Sequence, residues 1–259
     1  GVLLLVLSAY YFGLFEPPVT SYLWFVDTCE PLRFSRPNTN LFITYKSEGI
    51  VPDQAWEGIA RHAPEYTPRF FDDAACELYL KTHFPEEVLT RYRGFSKGAH
   101  RADLWRYCVL YREGGLYMDI KTVLVRDVRS IFPLDHNATV LSIYSGTVYQ
   151  GILHVPRPGD PVLRMCIAHM LRTPQRLVRL NYLFACTYMY GRICEEVGVD
   201  ELELGENGRG DYRWTLLKEG CVQNGDPTCT DPDQYGRCCT IADAEGRPCF
   251  ITRYGDFPW

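Results

Sequence analysis

The central part of the chain shows a helical pattern followed by a strand. Four apolar residues recur at spacings of three or four and so share one helix face: Leu104, Tyr107, Cys108 and Tyr111. The glycine pair Gly114 and Gly115 follows, and glycine takes the left-handed conformation of a helix end without steric cost. Residues 116–118 are apolar and predict a short buried strand that ends at Asp119.

The rest of the chain continues this alternation of helices and strands. Helices are predicted over 73–84, capped by Asp72 and ended by Pro85, and over 160–172 and 174–197. Strands are predicted over 138–143, 148–155 and 246–254, and residues 122–125 predict a strand or a loop. Residues 201–211 predict a glycine-rich, acidic surface loop. This order indicates an α/β domain with a mostly parallel central sheet flanked by helices.

Three charged side chains are predicted to meet at one end of the buried strand. Asp103 and Arg106 stand three residues apart and therefore neighbour each other on the helix, while Asp119 follows the strand directly. Open α/β sheets bind ligands at the carboxyl ends of their strands. Carboxylates suit hydroxyls or a metal ion, and a guanidinium suits phosphate, so these residue types favour a sugar nucleotide as ligand.

These residues also carry a family resemblance. The chain fits the pattern Ala/Ser-Asp-x-x-Arg-Tyr-x-x-Leu-Tyr-x-x-Gly-Gly-x-Tyr-x-Asp at Ala102–Asp103, Arg106–Tyr107, Leu110–Tyr111, Gly114–Gly115, Tyr117 and Asp119. In this it resembles the glycosyltransferases with a DXD sugar-binding region, of the mannosyltransferase-like family 32. The similarity spans roughly residues 40–170: 40–47 resembles the family's opening strand, 54–73 the next helix, strand and helix start, and 149–153 a later core strand.

The resemblance implies a GT-A-like (Rossmann-like) nucleotide-sugar-binding domain. Its implied activity is transfer of a hexose from a nucleotide-sugar donor to a glycan or glycolipid acceptor, with retention of the anomeric configuration. It implies catalytic roles for Asp103, Arg106 and Asp119. It implies donor binding by a wider set: Thr44, Tyr45, Asp103, Arg106, Gly114, Gly115, Tyr117, Asp119 and Lys121.

Position 121 departs from the family pattern, which has a second acid where this chain has Lys121. In the family the two acids hold a divalent ion at the donor diphosphate, so Mn²⁺ or Mg²⁺ on Asp119 is an expected but weakened cofactor. Three outcomes are open. Lys121 neutralises the diphosphate itself as a point charge, Lys121 points away while Asp119 works with another ligand, or the chain binds without catalysing.

Two other function classes compete with a transferase. The main alternative is a lumenal sugar-nucleotide-binding pseudoenzyme, for which Lys121 is the support. A hydrolase is the weaker alternative, because glycosidases need two acids flanking the scissile bond and Asp119 has a lysine beside it. A net charge of −5 over 259 residues argues against general nucleic-acid binding, since no basic surplus exists to release counterions.

The N-terminal residues predict a membrane connection. Residues 1–15 are uncharged and mostly apolar, whereas about 20 such residues span a bilayer. A truncated signal anchor is the preferred interpretation, with a cleaved signal peptide or a buried strand or helix as alternatives. The predicted organisation is this segment, a stem over 16–39 and a catalytic domain over 40–259, anchored by a single pass in the Golgi or secretory-pathway lumen.

Cysteine usage agrees with an oxidising compartment. The chain has 11 cysteines, five of them within 221–249, without a CxxC pair or a nearby histidine, so disulfides are expected there rather than zinc. Residues 137–139 form a glycosylation sequon. Cys108, Trp56 and Trp105 are expected in the core, and His100 is expected to be structural or solvated rather than a base.

Overall fold

The computed structural model describes Cys29 and residues 31–32, 37–180, 183–221 and 237–254. In these residues the helices are α1 (Asp53–His62), α2 (Asp73–His83), α3 (Glu86–Gly94), α4 (Gly98–Glu113), α5 (Pro161–Arg172), α6 (Gln175–Leu180) and α7 (Phe184–Val197). The strands are β1 (Asn40–Thr44), β2 (Thr67–Phe71), β3 (Gly115–Met118), β4 (Thr122–Leu124), β5 (Asn137–Leu141), β6 (Val148–Val155), β7 (Gly205–Arg209), β8 (Tyr212–Cys221), β9 (Arg237–Ala242) and β10 (Pro248–Tyr254).

One curled sheet holds the described strands in the order β2-β1-β3-β6-β5-β8-β9-β10-β4, with β7 paired to β8. Pairing is parallel for β1 with β2, β1 with β3 and β5 with β8, and antiparallel for the other pairs. The predicted α/β class is confirmed, but the prediction of a mostly parallel sheet is wrong. Short connections are the reason: residues 142–147 join β5 to β6, too few for the crossover that parallel neighbours require.

The helix–glycine–strand unit is confirmed. Helix α4 is buried along most of its length and ends at Gly114, whose φ of 68° is the positive value that favours glycine. At Gly115 a Cβ atom would lie 2.6 Å from the Asn40 carbonyl, so glycine lets β3 pass close to β1. Trp105 and Cys108 are fully buried, as expected, and Trp56 packs against the core.

Several other predicted elements are also confirmed. Asp72 caps α2 by accepting a hydrogen bond from the main-chain nitrogen of Ala75 at 2.7 Å, and Asp160 caps α5 in the same way. The helix predicted over 174–197 is instead two helices, α6 and α7. The prediction of a surface loop over 201–211 is wrong in part, because Gly205–Arg209 form β7. The main chain of β7 pairs along β8, although its side chains show no apolar alternation.

The sequon does not provide an accessible modification site in this fold. Asn137 is buried at the start of β5, and its side-chain amide donates a hydrogen bond to Asp160 Oδ2 at 3.0 Å. Glycosylation requires an exposed asparagine, so the sequon does not fit modification of the folded chain. The predicted N-terminal segment 1–15 lies outside the described residues, as do Cys229 and much of the stem. Among the helices described here, none has the length and apolar character needed to cross a bilayer.

Two buried histidines hold their rings neutral. His154 donates through Nδ1 to the carbonyl of His136 at 2.8 Å and accepts from the Tyr66 hydroxyl at Nε2, 3.1 Å away. The ring of His169 stacks on Tyr188 with centroids 3.8 Å apart. Burial lowers the pKa of His154 to about 4 and that of His169 to about 3, because the charged form loses its hydration.

We predict that mild acid destabilises the fold through these two histidines. The unfolded chain binds their protons near pH 6.5 and the folded chain does not, so stability is fully present above pH 6.5 and falls as the pH drops towards 4. At pH 5 each histidine costs on the order of 2 kcal/mol. Urea denaturation at pH 7 and pH 5 measures the difference. His154→Gln lowers stability at pH 7 but shrinks the pH 7 to pH 5 difference, and an unchanged difference contradicts the assignment.

Candidate functional site

A cleft of about 760 Å³ opens where β1 and β3 end. Thr44 and Tyr45 contribute to it from the end of β1, and Asp119 and Lys121 from the turn that follows β3. That turn is closed by a hydrogen bond from the main-chain nitrogen of Thr122 to the carbonyl of Asp119 at 3.0 Å. The first turns of α4 and the first half of β6 supply further walls.

Asp119 is fixed by side chains from three elements. Its Oδ1 accepts a hydrogen bond from the Tyr117 hydroxyl at 2.8 Å and lies 3.3 Å from Arg106 Nη2, while its Oδ2 lies 3.4 Å from the Tyr149 hydroxyl. Its main-chain nitrogen donates to the carbonyl of Gly151 at 2.7 Å. The side chain stays 32% exposed, so the carboxylate is oriented by the protein and still accessible to a ligand in the cleft.

Arg106 joins the helix to the strand. The residue is only 4% exposed, and Nη2 lies 3.3 Å from an oxygen of Asp103 as well as from Asp119. Nη1 donates to the main-chain carbonyl of Gln150, and the guanidinium carbon lies 4.4 Å from the centre of the Tyr117 ring. Burial opposes the charge, but Tyr117, Asp119 and Asp103 outweigh it and raise the pKa of Arg106, which therefore stays cationic.

The two tyrosines act as neutral donors towards Asp119. Burial raises the pKa of Tyr117 far above its usual range although Arg106 opposes the rise, and burial raises the pKa of Tyr149 as well. The Tyr149 hydroxyl also lies 3.1 Å from Thr252 Oγ1, which links the cluster to β10. A carboxylate with fixed donors on its inner side can accept hydrogen bonds from ligand hydroxyls on its outer side.

Gly151 makes room for this arrangement. A Cβ atom at position 151 would lie 2.1 Å from the Tyr149 hydroxyl and 2.7 Å from Asp119 Oδ2. Any larger residue therefore has to displace the tyrosine or the carboxylate. Glycine at this position of β6 is required by the close approach of Asp119.

The structure brings most of the predicted site residues together. Seven of them line the cleft: Thr44, Tyr45, Asp103, Arg106, Tyr117, Asp119 and Lys121. Gly114 and Gly115 do not, because they lie at the opposite end of β3, where they end α4 and let β3 approach β1. His100 is buried, and its Nδ1 lies 3.6 Å from Asp103 Oδ2, which fits the structural role expected of it.

Distant parts of the chain supply further walls of the cleft that were not predicted from the sequence. Tyr149, Gln150 and Gly151 line the cleft from β6, and Glu219 does so from β8. The signal was present in β6, where polar residues and a glycine interrupt an otherwise apolar strand. Glu219 gave no such signal. It accepts hydrogen bonds from Ser142 Oγ at 3.0 Å and from the Ile143 nitrogen at 3.1 Å, and so holds the β5–β6 turn at the mouth of the cleft.

The carboxylates at the centre of the cleft have a cationic side chain as their neighbour. Within the described ranges, no group of three or more histidine, cysteine, aspartate or glutamate residues is placed to hold a metal. Asp103 and Asp119 share the Arg106 guanidinium, whose single positive charge compensates one of their two negative charges. Lys121 stands where the family pattern has its second acid, and Lys46 and Arg101 also line the cleft.

Comparison with known proteins agrees with the site. Residues 54–138 match the family model described as the glycosyltransferase sugar-binding region containing the DXD motif, which confirms the resemblance over this part of the chain. Asp103, Arg106 and Asp119 all lie within it.

Similar proteins cover limited parts of the chain. The initiation-specific alpha-1,6-mannosyltransferase of Candida albicans is 32% identical over 77 residues, which are 29% of this chain and 19% of that protein. The inositol phosphoceramide mannosyltransferase 3 of Schizosaccharomyces pombe is 30% identical over 97 residues, or 36% and 26% of the two chains. The matches thus span about a fifth to a quarter of these relatives' lengths. The solved PaToxG glycosyltransferase superposes with a TM-score of 0.47 and 15% identity over 69% of this chain and 76% of its own.

Proposed function

We propose that this chain is a glycosyltransferase that moves a hexose from a nucleotide-sugar donor to a glycan or glycolipid acceptor. The cluster of Asp103, Arg106 and Asp119 carries the proposal, because it lies at the end of β3, lines a cleft and falls within the matched sugar-binding region. Mannosyltransferase relatives support a hexose as the transferred group. The two aspartates accept hydrogen bonds from sugar hydroxyls, and Arg106 fixes their orientation.

The charges of the cleft suit the departing group. A nucleoside diphosphate gains negative charge as the glycosidic bond breaks, and cations placed beforehand stabilise that charge. We infer that Lys121 takes this role, with Lys46 and Arg101 nearby on the cleft wall. One carboxylate with a divalent ion carries a single net positive charge, as one lysine does. Lys121 therefore supplies the charge that a second acid and a metal would supply, and the donor binds without a protein-held ion.

The β5–β6 turn is our candidate for the acceptor side. Ile143 and Tyr144 line the mouth of the cleft and are 45% and 51% exposed. The turn is held in place by Glu219 and by the Thr147 hydroxyl, which donates to the Tyr144 carbonyl at 2.6 Å. An aromatic ring fixed in this way offers a flat apolar face to the C–H side of an acceptor sugar.

Four finer features are part of the same proposal. We infer retention of the anomeric configuration and a location in the Golgi or secretory-pathway lumen, with residues 1–15 as part of a membrane anchor and some C-terminal cysteines in disulfides. The family resemblance supports the first feature, and the apolar N-terminal composition and cysteine usage support the others. Nuclear magnetic resonance of the product anomer tests retention, and protease protection of a full chain tagged at its C-terminus tests the lumenal location. An inverted product contradicts retention, and a tag cleaved in sealed microsomes contradicts the lumenal location.

We predict that Asp119→Asn lowers turnover by at least a hundredfold. The change keeps the shape but removes the charge that the sugar and Arg106 contact. The measurement is transfer and hydrolysis of UDP-glucose, UDP-galactose, UDP-N-acetylglucosamine and GDP-mannose by the full chain. Asp211→Asn, an exposed aspartate in the β7–β8 turn, serves as the matched control and retains full activity. A wild-type chain that binds a donor without turnover favours the pseudoenzyme, and one that binds no donor contradicts the proposal.

We predict that Lys121→Asp makes donor binding depend on a divalent ion. The wild-type chain binds its donor equally well with Mn²⁺ and with EDTA, because the lysine supplies the positive charge. In the variant a second acid replaces that charge, so affinity in EDTA falls by tenfold or more and Mn²⁺ restores part of it. Calorimetry in both buffers measures this effect. Donor binding by the wild-type chain that disappears in EDTA contradicts the role of Lys121.

We predict that Tyr144→Ala raises the acceptor KM about fivefold, because the acceptor loses its stacking surface. Initial rates at varied acceptor and at varied donor concentrations separate the two sides of the cleft. Tyr144→Phe keeps the ring and stays close to the wild-type value. Leu78→Ala removes another exposed apolar side chain, from α2 and away from the cleft, and changes neither KM. A larger effect of Tyr144→Ala on the donor KM than on the acceptor KM places the ring on the donor side instead.

A further inference from the structure

Gln150 carries an unpaired carboxamide at the wall of the cleft. The residue is 2% exposed, and neither Oε1 nor Nε2 has a hydrogen-bond partner in the described structure. A buried amide without partners destabilises a fold, and protein interiors leave few such groups unpaired. Here both halves of one carboxamide are unpaired, and the residue lines the cleft that holds Asp119.

The main chain ties Gln150 to the charged cluster. Its carbonyl accepts a hydrogen bond from Arg106 Nη1, and the next carbonyl along β6, that of Gly151, accepts from the main-chain nitrogen of Asp119 at 2.7 Å. Gln150 is therefore anchored beside the groups assigned to the donor sugar. The terminal torsion of a glutamine has a broad energy profile, so its carboxamide can turn towards a ligand that fills the cleft.

We propose that Gln150 is a specificity-determining residue that recognises hydroxyls of the transferred sugar. This inference rests on the proposed function and deepens it. Nε2 donates to one hydroxyl oxygen, and Oε1 accepts from a neighbouring hydroxyl, which no carboxylate in the cleft can do in both directions. A site that hydrogen-bonds a hydroxyl strongly rejects an analogue that leaves the buried group unpaired. Gln150 thus discriminates among hexoses that differ in the orientation of a hydroxyl.

The test is Gln150→Met, which keeps the length of the side chain and removes both polar atoms. Ligand-free, the variant has a higher thermal midpoint than the wild type, because two unpaired buried atoms are gone. Its affinity for the preferred nucleotide sugar falls about tenfold, and its affinity for free UDP or GDP changes less than twofold. In the variant, the affinities for UDP-glucose, UDP-galactose, UDP-N-acetylglucosamine and GDP-mannose differ less from one another than in the wild type. Calorimetry and thermal denaturation of the full chain measure all three effects.

The outcomes separate this inference from the proposed function. Gln54→Leu, at an exposed position of α1, is the control for loss of a carboxamide and changes neither affinity. Gln150→Leu repeats the test with a shorter apolar side chain. A lower midpoint with equal losses for nucleotide sugar and free diphosphate shows a structural role and overturns the inference. Equal donor affinities of the wild-type chain and of Gln150→Met also overturn the inference. A wild-type chain that binds no nucleotide sugar overturns the proposed function and this inference together.

Discussion

The buried guanidinium of Arg106 is the interaction on which the site depends. It comes from α4, contacts the carboxylates of Asp103 and Asp119, lies against the Tyr117 ring and donates to β6. Each carboxylate alone would be costly to place in a largely apolar wall, and so would the guanidinium. The guanidinium and the carboxylates partly compensate one another, and the contacts of Arg106 hold α4, the end of β3 and β6 together. Removing Arg106 would leave two neighbouring carboxylates without their shared partner.

Two close approaches to glycine residues place Asp119 beside Arg106. Gly114 and Gly115 reverse the chain at the end of α4, so β3 returns through the core between β1 and β6 and delivers Asp119 to the cleft near Arg106. Gly151 then allows the carboxylate and the Tyr149 hydroxyl to lie against β6. The glycines of the α4–β3 unit thus act from a distance, by setting where the strand runs, although the family resemblance implied that they touch the donor.

Local sequence patterns predicted most helices and strands and the meeting of Asp103, Arg106 and Asp119. They did not predict which distant strands pair in the sheet. Three features depend only on neighbours in sequence and could therefore be predicted. They are the helical spacing of Leu104, Tyr107 and Cys108, the glycines that end the helix, and the acid that follows the strand. The sheet order could not be predicted, since β8 joins β5 in parallel while β6 runs antiparallel to both β3 and β5. For the same reason the contribution of Glu219, which reaches the cleft from β8, had no local signature. The apolar alternation that marks a strand is absent from β7, which forms through main-chain hydrogen bonds to β8.

Lys121, in place of the second acid of the family pattern, changes the electrostatics of the cleft. The turn from Asp119 to Thr122 keeps its main-chain hydrogen bond, and Lys121 lines the cleft. Asp103, Asp119, Arg106 and Lys121 together are neutral, whereas an acid at position 121 would give the four groups two net negative charges. A cleft with two excess negative charges repels a diphosphate until a divalent ion enters, and a neutral one does not. Under the proposed function, Lys121 would face the donor phosphates, while Asp103, Arg106 and Asp119 would face the sugar. Loss of the second acid would then be compatible with turnover, because the charge at the leaving group and the recognition of the sugar would be carried by different residues.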